Sequence, residues 1–208
     1  MILFIGNGYT TCFKTEFVFD PDLRFNDDNI KEIVYAKNMK MFASWNTGIT
    51  NVDFLEDFTE LESVCIVGNS LNPGIVIDHV PSLKNSPNLA YVDLRIDVDN
   101  LDFLAESHNL VNLLVSPYGA EIRDISGLRN KPYLKWLVRE HIHCSEYSVL
   151  LDLPSLSFIH IDGSELPDEI KTALEEKGVE VKETPKEELQ KEREEYEELV
   201  KSHHAQTD

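Results

Sequence analysis

One spacing recurs five times in the chain and restricts its fold more than any other feature. The copies read Leu61-x-x-Val64-x-Ile66, Leu89-x-x-Val92-x-Leu94, Leu110-x-x-Leu113-x-Val115, Leu134-x-x-Leu137 and Leu156-x-x-Ile159-x-Ile161. Six residues before each opening leucine stands another: Leu55, Leu83, Leu104, Leu128 and Leu150. Nine residues before it the position is apolar or aromatic: Val52, Val80, Leu101, Ile125 and Tyr147. The openings are 28, 21, 24 and 22 residues apart. Alternation within each phrase marks a short strand, and the upstream pair marks a return segment. One such copy cannot bury its apolar face, so the copies must stack, share a core and align their strands in parallel.

A period in the low twenties is that of leucine-rich repeats. The phrase Asp124-Ile125-Ser126-Gly127-Leu128, with Leu134 six residues on, resembles the internalin-type repeat, and Asn51-Val52-Asp53-Phe54-Leu55 and Asn100-Leu101-Asp102-Phe103-Leu104 echo it. The resemblance covers somewhat over half the chain. It implies an α/β fold: a right-handed leucine-rich repeat solenoid with a parallel sheet on its concave face. For function it implies only protein binding of some kind.

The sequence also departs from that pattern. The asparagine expected eight residues after the opening leucine is present as Asn69, while Asp97, Tyr118, Ile142 and Ser164 occupy the other copies. Arg139 stands where an inward aliphatic residue belongs. Asn72-Pro73-Gly74 reads as a loop inside the longest interval.

Both ends differ from the repeats at 49–163. Residues 1–48 read as an irregular N-terminal β cap. Its first strand is Ile2–Ile5, and Gly6-Asn7-Gly8 suits a hairpin to Tyr9–Phe13. No Gly-Lys-Ser/Thr follows those glycines, which argues against a nucleotide loop. Glu16–Asp20 alternates as a strand, and Asn29–Tyr35 resembles a repeat strand opened by Ile30. Residues 164–208 read as a C-terminal cap and acidic helical tail. A helix starting near Ser164-Glu165-Leu166-Pro167 stops at Gly178, and Val179-Glu180-Val181 extends the sheet. Thr184-Pro185-Lys186-Glu187 has the form of a capping box opening a helix to about Lys201.

Charge narrows the partners. The net charge is −19, with −11 from residues 1–163 and −8 from the remainder. Such a surface disfavours nucleic acid and anionic membranes and attracts basic proteins. No apolar run reaches the ~18 residues of a membrane span, and Cys12, Cys65 and Cys144 form no metal or disulfide spacing. A cytoplasmic protein with reduced thiols is expected.

Burying the leucine positions exposes the residues between them. The first outward column is then Ser63, Tyr91, Asn112, Trp136 and Phe158. The second is Cys65, Asp93, Leu114, Val138 and His160; the third is Val67, Arg95, Ser116, Glu140 and Asp162. Aromatic side chains ringed by polar groups are what binding hot spots present, although such rings also suit packing on each other or beneath the C-terminal helix. The expected partner-binding residues are Tyr91, Asp93, Asn112, Trp136, Glu140, Phe158, His160 and Asp162. No catalytic group, metal or cofactor is assigned. His141 and His143 share a strand face but lack a third ligand close in sequence, and read as edge-loop residues.

The function expected is a non-enzymatic binding module, a monomer outside its complex. Its sharpest form is an immunity protein, or antitoxin, that neutralises a basic nuclease toxin. A general scaffold or adaptor, and a metal-dependent enzyme using His141 and His143, are the alternatives.

Overall fold

A computed structural model describes residues 2–6, 26–28, 30, 39–45, 47–69, 74–77, 79–117, 120–140, 142–185 and 187–191. Among the described residues, eight strands form one sheet in chain order, all neighbours parallel. They are β1 (Ile2–Gly6), β2 (Met41–Trp45), β3 (Ser63–Val67), β4 (Tyr91–Arg95), β5 (Asn112–Val115), β6 (Trp136–Glu140), β7 (Phe158–Asp162) and β8 (Glu180–Thr184). One α-helix, α1 (Asp168–Glu176), lies between β7 and β8. This is the expected leucine-rich repeat solenoid.

The repeat spacing sets the register. Val64, Val92, Leu113, Leu137 and Ile159 align across β3 to β7, as do Ile66, Leu94, Val115, Arg139 and Ile161. The opening leucines and the leucines six residues upstream are all buried, so one core runs the length of the coil.

The return segments show what the Asn-x-Asp phrase does. Asn51 Oδ1 accepts the Asp53 N–H at 2.8 Å, Asn100 Oδ1 that of Asp102 at 3.0 Å, and Asp124 Oδ1 that of Ser126 at 2.7 Å. Each bond leads into a tight 3-10 turn: Asp53–Asp57, Asp102–Leu104 and Ser126–Leu128. An Asx side chain here replaces the backbone acceptor that a short turn lacks. His79 takes this position in the second copy, and among the described residues no 3-10 turn forms between β3 and β4. The chain also packs closely here. A Cβ on Gly127 would lie 2.0 Å from the Leu101 carbonyl oxygen of the preceding coil.

The N-terminal half adds a strand that the repeat phrase did not mark. The strand before β3 is β2, aligned Met41 to Ser63 and Phe42 to Val64, so Met39 holds the opening position and is fully buried. Ile30 lies nine residues earlier, buried in a turn, where Val52 stands in the next copy. The strand expected to follow it lies outside the described residues. The hairpin strand Tyr9–Phe13, the strand Glu16–Asp20 and most of Asn29–Tyr35 lie outside the described residues. So do Asn72, Pro73, Tyr118, His141 and the tail beyond 191.

The C-terminal end closes as expected. Gly178 ends α1 with φ +82°, and β8 pairs with β7. Glu183 takes an inward position on β8, opposite Ile161. Its carboxylate receives Lys171 Nζ at 2.5 Å and the Leu166 N–H at 2.8 Å. The last coil thus ends on a satisfied polar pair over the core.

Arg139 breaks the inward column. It is fully buried between Val115 and Ile161, and its Nε, Nη1 and Nη2 have no hydrogen-bond partner. Burial pushes its pKa down to about 9, against a smaller pull the other way from Cys144 and Tyr147. It therefore stays cationic at neutral pH. Lys131 is buried too, pushed down to about 8 by desolvation, but its Nζ bonds the carbonyls of Ala105 (2.9 Å) and Arg129 (3.2 Å). The lysine is satisfied and the arginine is not.

Two substitutions test this packing by chemical denaturation. Gly127→Ala is expected to destabilise the fold by about 1–3 kcal/mol, because backbone must move to admit the methyl. Arg139→Met is expected to stabilise it by about 1–4 kcal/mol, since an apolar side chain of similar volume relieves an uncompensated buried cation. A lower stability for Arg139→Met would show that the guanidinium has an unrecognised partner.

Candidate functional site

Strand alternation directs one side-chain set into the core and the other onto the outer sheet face. The predicted columns form as a consequence of the register. Ser63, Tyr91, Asn112, Trp136 and Phe158 are Cα partners in turn, and β8 adds Glu180. Cys65, Asp93, Leu114, Val138 and His160 make the second column, continued by Lys182. In the third, Val67 pairs with Arg95 and Glu140 with Asp162. Ser116 lies just past β5, where its N–H donates to the Leu94 carbonyl at 2.8 Å.

The aromatic column is where exposure and register coincide. Trp136 is 54% exposed and Tyr91 38%. Trp136 leans on Phe158, with ring centroids 5.0 Å apart and planes tilted by 38°. Phe158 meets His160 edge-on at 6.4 Å. Helix α1 packs against the 147–152 turn and β8. The rings do touch each other, yet half of the indole surface still faces outward. Asn112 lies half-buried between Tyr91 and Trp136.

The acidic residues are arranged differently from the expected exposed ring. Asp93 is only 6% exposed and Asp162 only 8%. Asp93 Oδ1 accepts from Arg95 Nε at 3.3 Å, and Asp162 Oδ1 lies 2.7 Å from His160 Nε2. Glu140 takes its predicted place at the end of β6.

His160 Nε2 also lies 2.9 Å from Thr184 Oγ1. A histidine, an aspartate and a hydroxyl so close invite comparison with a hydrolase triad. A triad places its acid and its hydroxyl on opposite ring nitrogens. Here both meet Nε2. Asp162 Oδ1 is near enough for electrostatic attraction but not aligned for a hydrogen bond. The cluster holds the ring in place without the geometry of a triad.

Among the described residues no three histidine, cysteine or acidic side chains converge as metal ligands. His143 is exposed. No helix among the described residues is long and apolar enough to cross a membrane.

The repeat phrase did not flag three exposed surface features. Trp45, 50% exposed, ends β2 in the third column, aligned with Val67. Placing Met39 at the opening of a copy would have found it, but methionine, phenylalanine and serine replace the usual aliphatic set. Tyr133, 54% exposed, stands three residues before Trp136, ahead of β6. Glu180 joins the aromatic column only because β8 pairs with β7.

No family model matches this chain, and no curated protein does. Among solved structures, the crystal structure of internalin C2 from Listeria monocytogenes matches with a TM-score of 0.51 and 23% identity. The match covers 64% of this chain and 56% of that chain. The likeness establishes the leucine-rich repeat fold.

Cys65 offers a probe of the outer face. Burial, aided by the Asp93 carboxylate, pushes its thiol up to about 11, against a smaller opposing effect of Arg95. At pH 8 roughly one thiol in a thousand is then ionised. Iodoacetamide is expected to label Cys65 slowly at pH 8 and faster as pH rises toward 11, followed by peptide mass mapping. Asp93→Asn should speed the labelling at fixed pH, because the thiolate then has no adjacent anion.

Proposed function

We propose that this chain is a non-enzymatic protein-binding module whose outward sheet face captures a basic protein. The partner we propose is a nuclease toxin, held inactive in the cytoplasm, which makes this chain an immunity protein. The observation that carries the reading is the half-exposed Trp136, seated on Phe158 in a register-fixed column with Tyr91. Large rings held rigidly at the centre of a face lose little entropy on binding and contribute much of the affinity.

The net charge of −19 supports a basic partner and opposes nucleic acid. Charge of this kind chiefly speeds encounter, while the aromatic contacts set residence time. Cys65 and Cys144 are free, as suits a reducing compartment.

The test is capture from the native host followed by assay of the captured protein. A basic nuclease whose cleavage stops on adding this chain is the expected result. Association should slow as salt rises, and Trp136→Ala should weaken capture at least about tenfold without unfolding the chain. Capture that ignores both salt and Trp136→Ala overturns the reading. A captured basic protein with no nuclease activity would favour the scaffold or adaptor reading.

A further inference from the structure

We infer that this face selects guanidinium over ammonium groups: Trp136, Phe158 and Glu180 form a receptor for an arginine side chain of the partner. The inference rests on the protein-capture reading and names the chemistry recognised at its centre.

The first positions of β6, β7 and β8 are consecutive register partners: Trp136, Phe158, Glu180. Parallel strands lie about 4.8 Å apart, so the column runs about 10 Å from indole to carboxylate-bearing residue. Phe158 supports Trp136 on one side and sets the tilt of the indole, which keeps 54% of its surface exposed. Glu180 is exposed, and its side chain is long enough to reach back over Phe158. A planar cation on the indole gains ring attraction, and its edge N–H groups then face a carboxylate.

The selectivity comes from shape and hydration rather than charge. Exposed Lys135 immediately precedes Trp136, and exposed Lys182 lies two residues beyond Glu180. Asp162 is buried beside His160. Lys182, on the same face of β8 as Glu180, weakens its pull on any cation, so point charge alone holds a ligand poorly here. A guanidinium is planar and less strongly hydrated, stacks on aromatic faces and bonds a carboxylate with two parallel N–H groups. The site therefore reads shape and planarity more than point charge. A nucleobase would also stack on the indole, but its phosphates would meet a strongly acidic protein.

The chain has two tryptophans, Trp45 and Trp136, so its two indole N–H signals report on two separate places. The full-length protein is titrated with capped hexa-arginine, with hexa-lysine of equal charge, and with a single-stranded oligonucleotide. Trp45→Phe assigns the signals. The expected result is binding of hexa-arginine at least about fivefold tighter than hexa-lysine, with the Trp136 signal moving. Glu180→Gln should reduce that preference. Equal affinities with an unmoved Trp136 signal overturn the arginine receptor while leaving capture of a basic protein standing. Binding of neither peptide, or preference for the oligonucleotide, also overturns the receptor. Failure of the capture reading itself shows separately, as loss of salt dependence and of the Trp136→Ala effect with the host partner.

Discussion

No coil of this chain can bury its apolar face alone, and the rest of the structure follows from that constraint. The inward positions of β3 to β7 close one continuous core, with Leu61, Val64, Leu89, Val92, Leu110, Leu137 and Ile159 essentially without solvent contact. Shifting one strand by a single residue would send its whole apolar set outward. The core therefore fixes register, and register decides which side chains reach the outer face. The aromatic column is a by-product of burial on the opposite side.

The return side is held differently. Side chains there bond carbonyls of the neighbouring coil: Ser86 Oγ to Phe58 at 2.7 Å, Asn109 Nδ2 to Pro87 at 2.7 Å, Ser155 Oγ to Pro132 at 2.6 Å. Asn69 Nδ2 reaches the Thr47 carbonyl at 3.0 Å, and Asp97 Oδ1 accepts the Ala120 N–H at 3.1 Å. The asparagine position of the repeat is thus a coil-to-coil tie, and aspartate serves with the donor and acceptor roles reversed. Asp27 does the same near the N-terminal end, accepting the N–H groups of Thr50 and Asn51. Irregular coil lengths are tolerated because each tie is local.

What could be read from the sequence divides along these lines. Leucine spacing gave the sheet order and the outward columns correctly because burial period and strand period are rigid. Exposure within a column was less legible. Asp93 and Asp162 share the outward face with Trp136 but are nearly buried, and single-residue alternation carries no information about exposure within a face. Met39 and Phe42 escaped notice because the core needs only volume and apolarity at those sites, not leucine. The role of Asn51, Asn100 and Asp124 was visible as a motif, but its cause is an Asx bond that only geometry shows.

Strand β6 carries both extremes of the molecule. Its outward face presents Trp136, among the most exposed large apolar residues, and its inward face buries the unpaired Arg139. Neither choice helps a coil to stack. A strand of five residues can violate local rules twice because β5 and β7 hold it in register on both sides. Places where sequence and local physics disagree are often places where function has been accommodated. At β6 the two departures lie on opposite faces, three residues apart, and only the outer one meets solvent. For the outer departure we propose a use in recognition. Arg139 lies on the core side of the sheet, and its effect is on the stability of the strand that carries the indole. An exposed anchor must be held rigidly to bind well, and here that rigidity comes from the neighbouring coils.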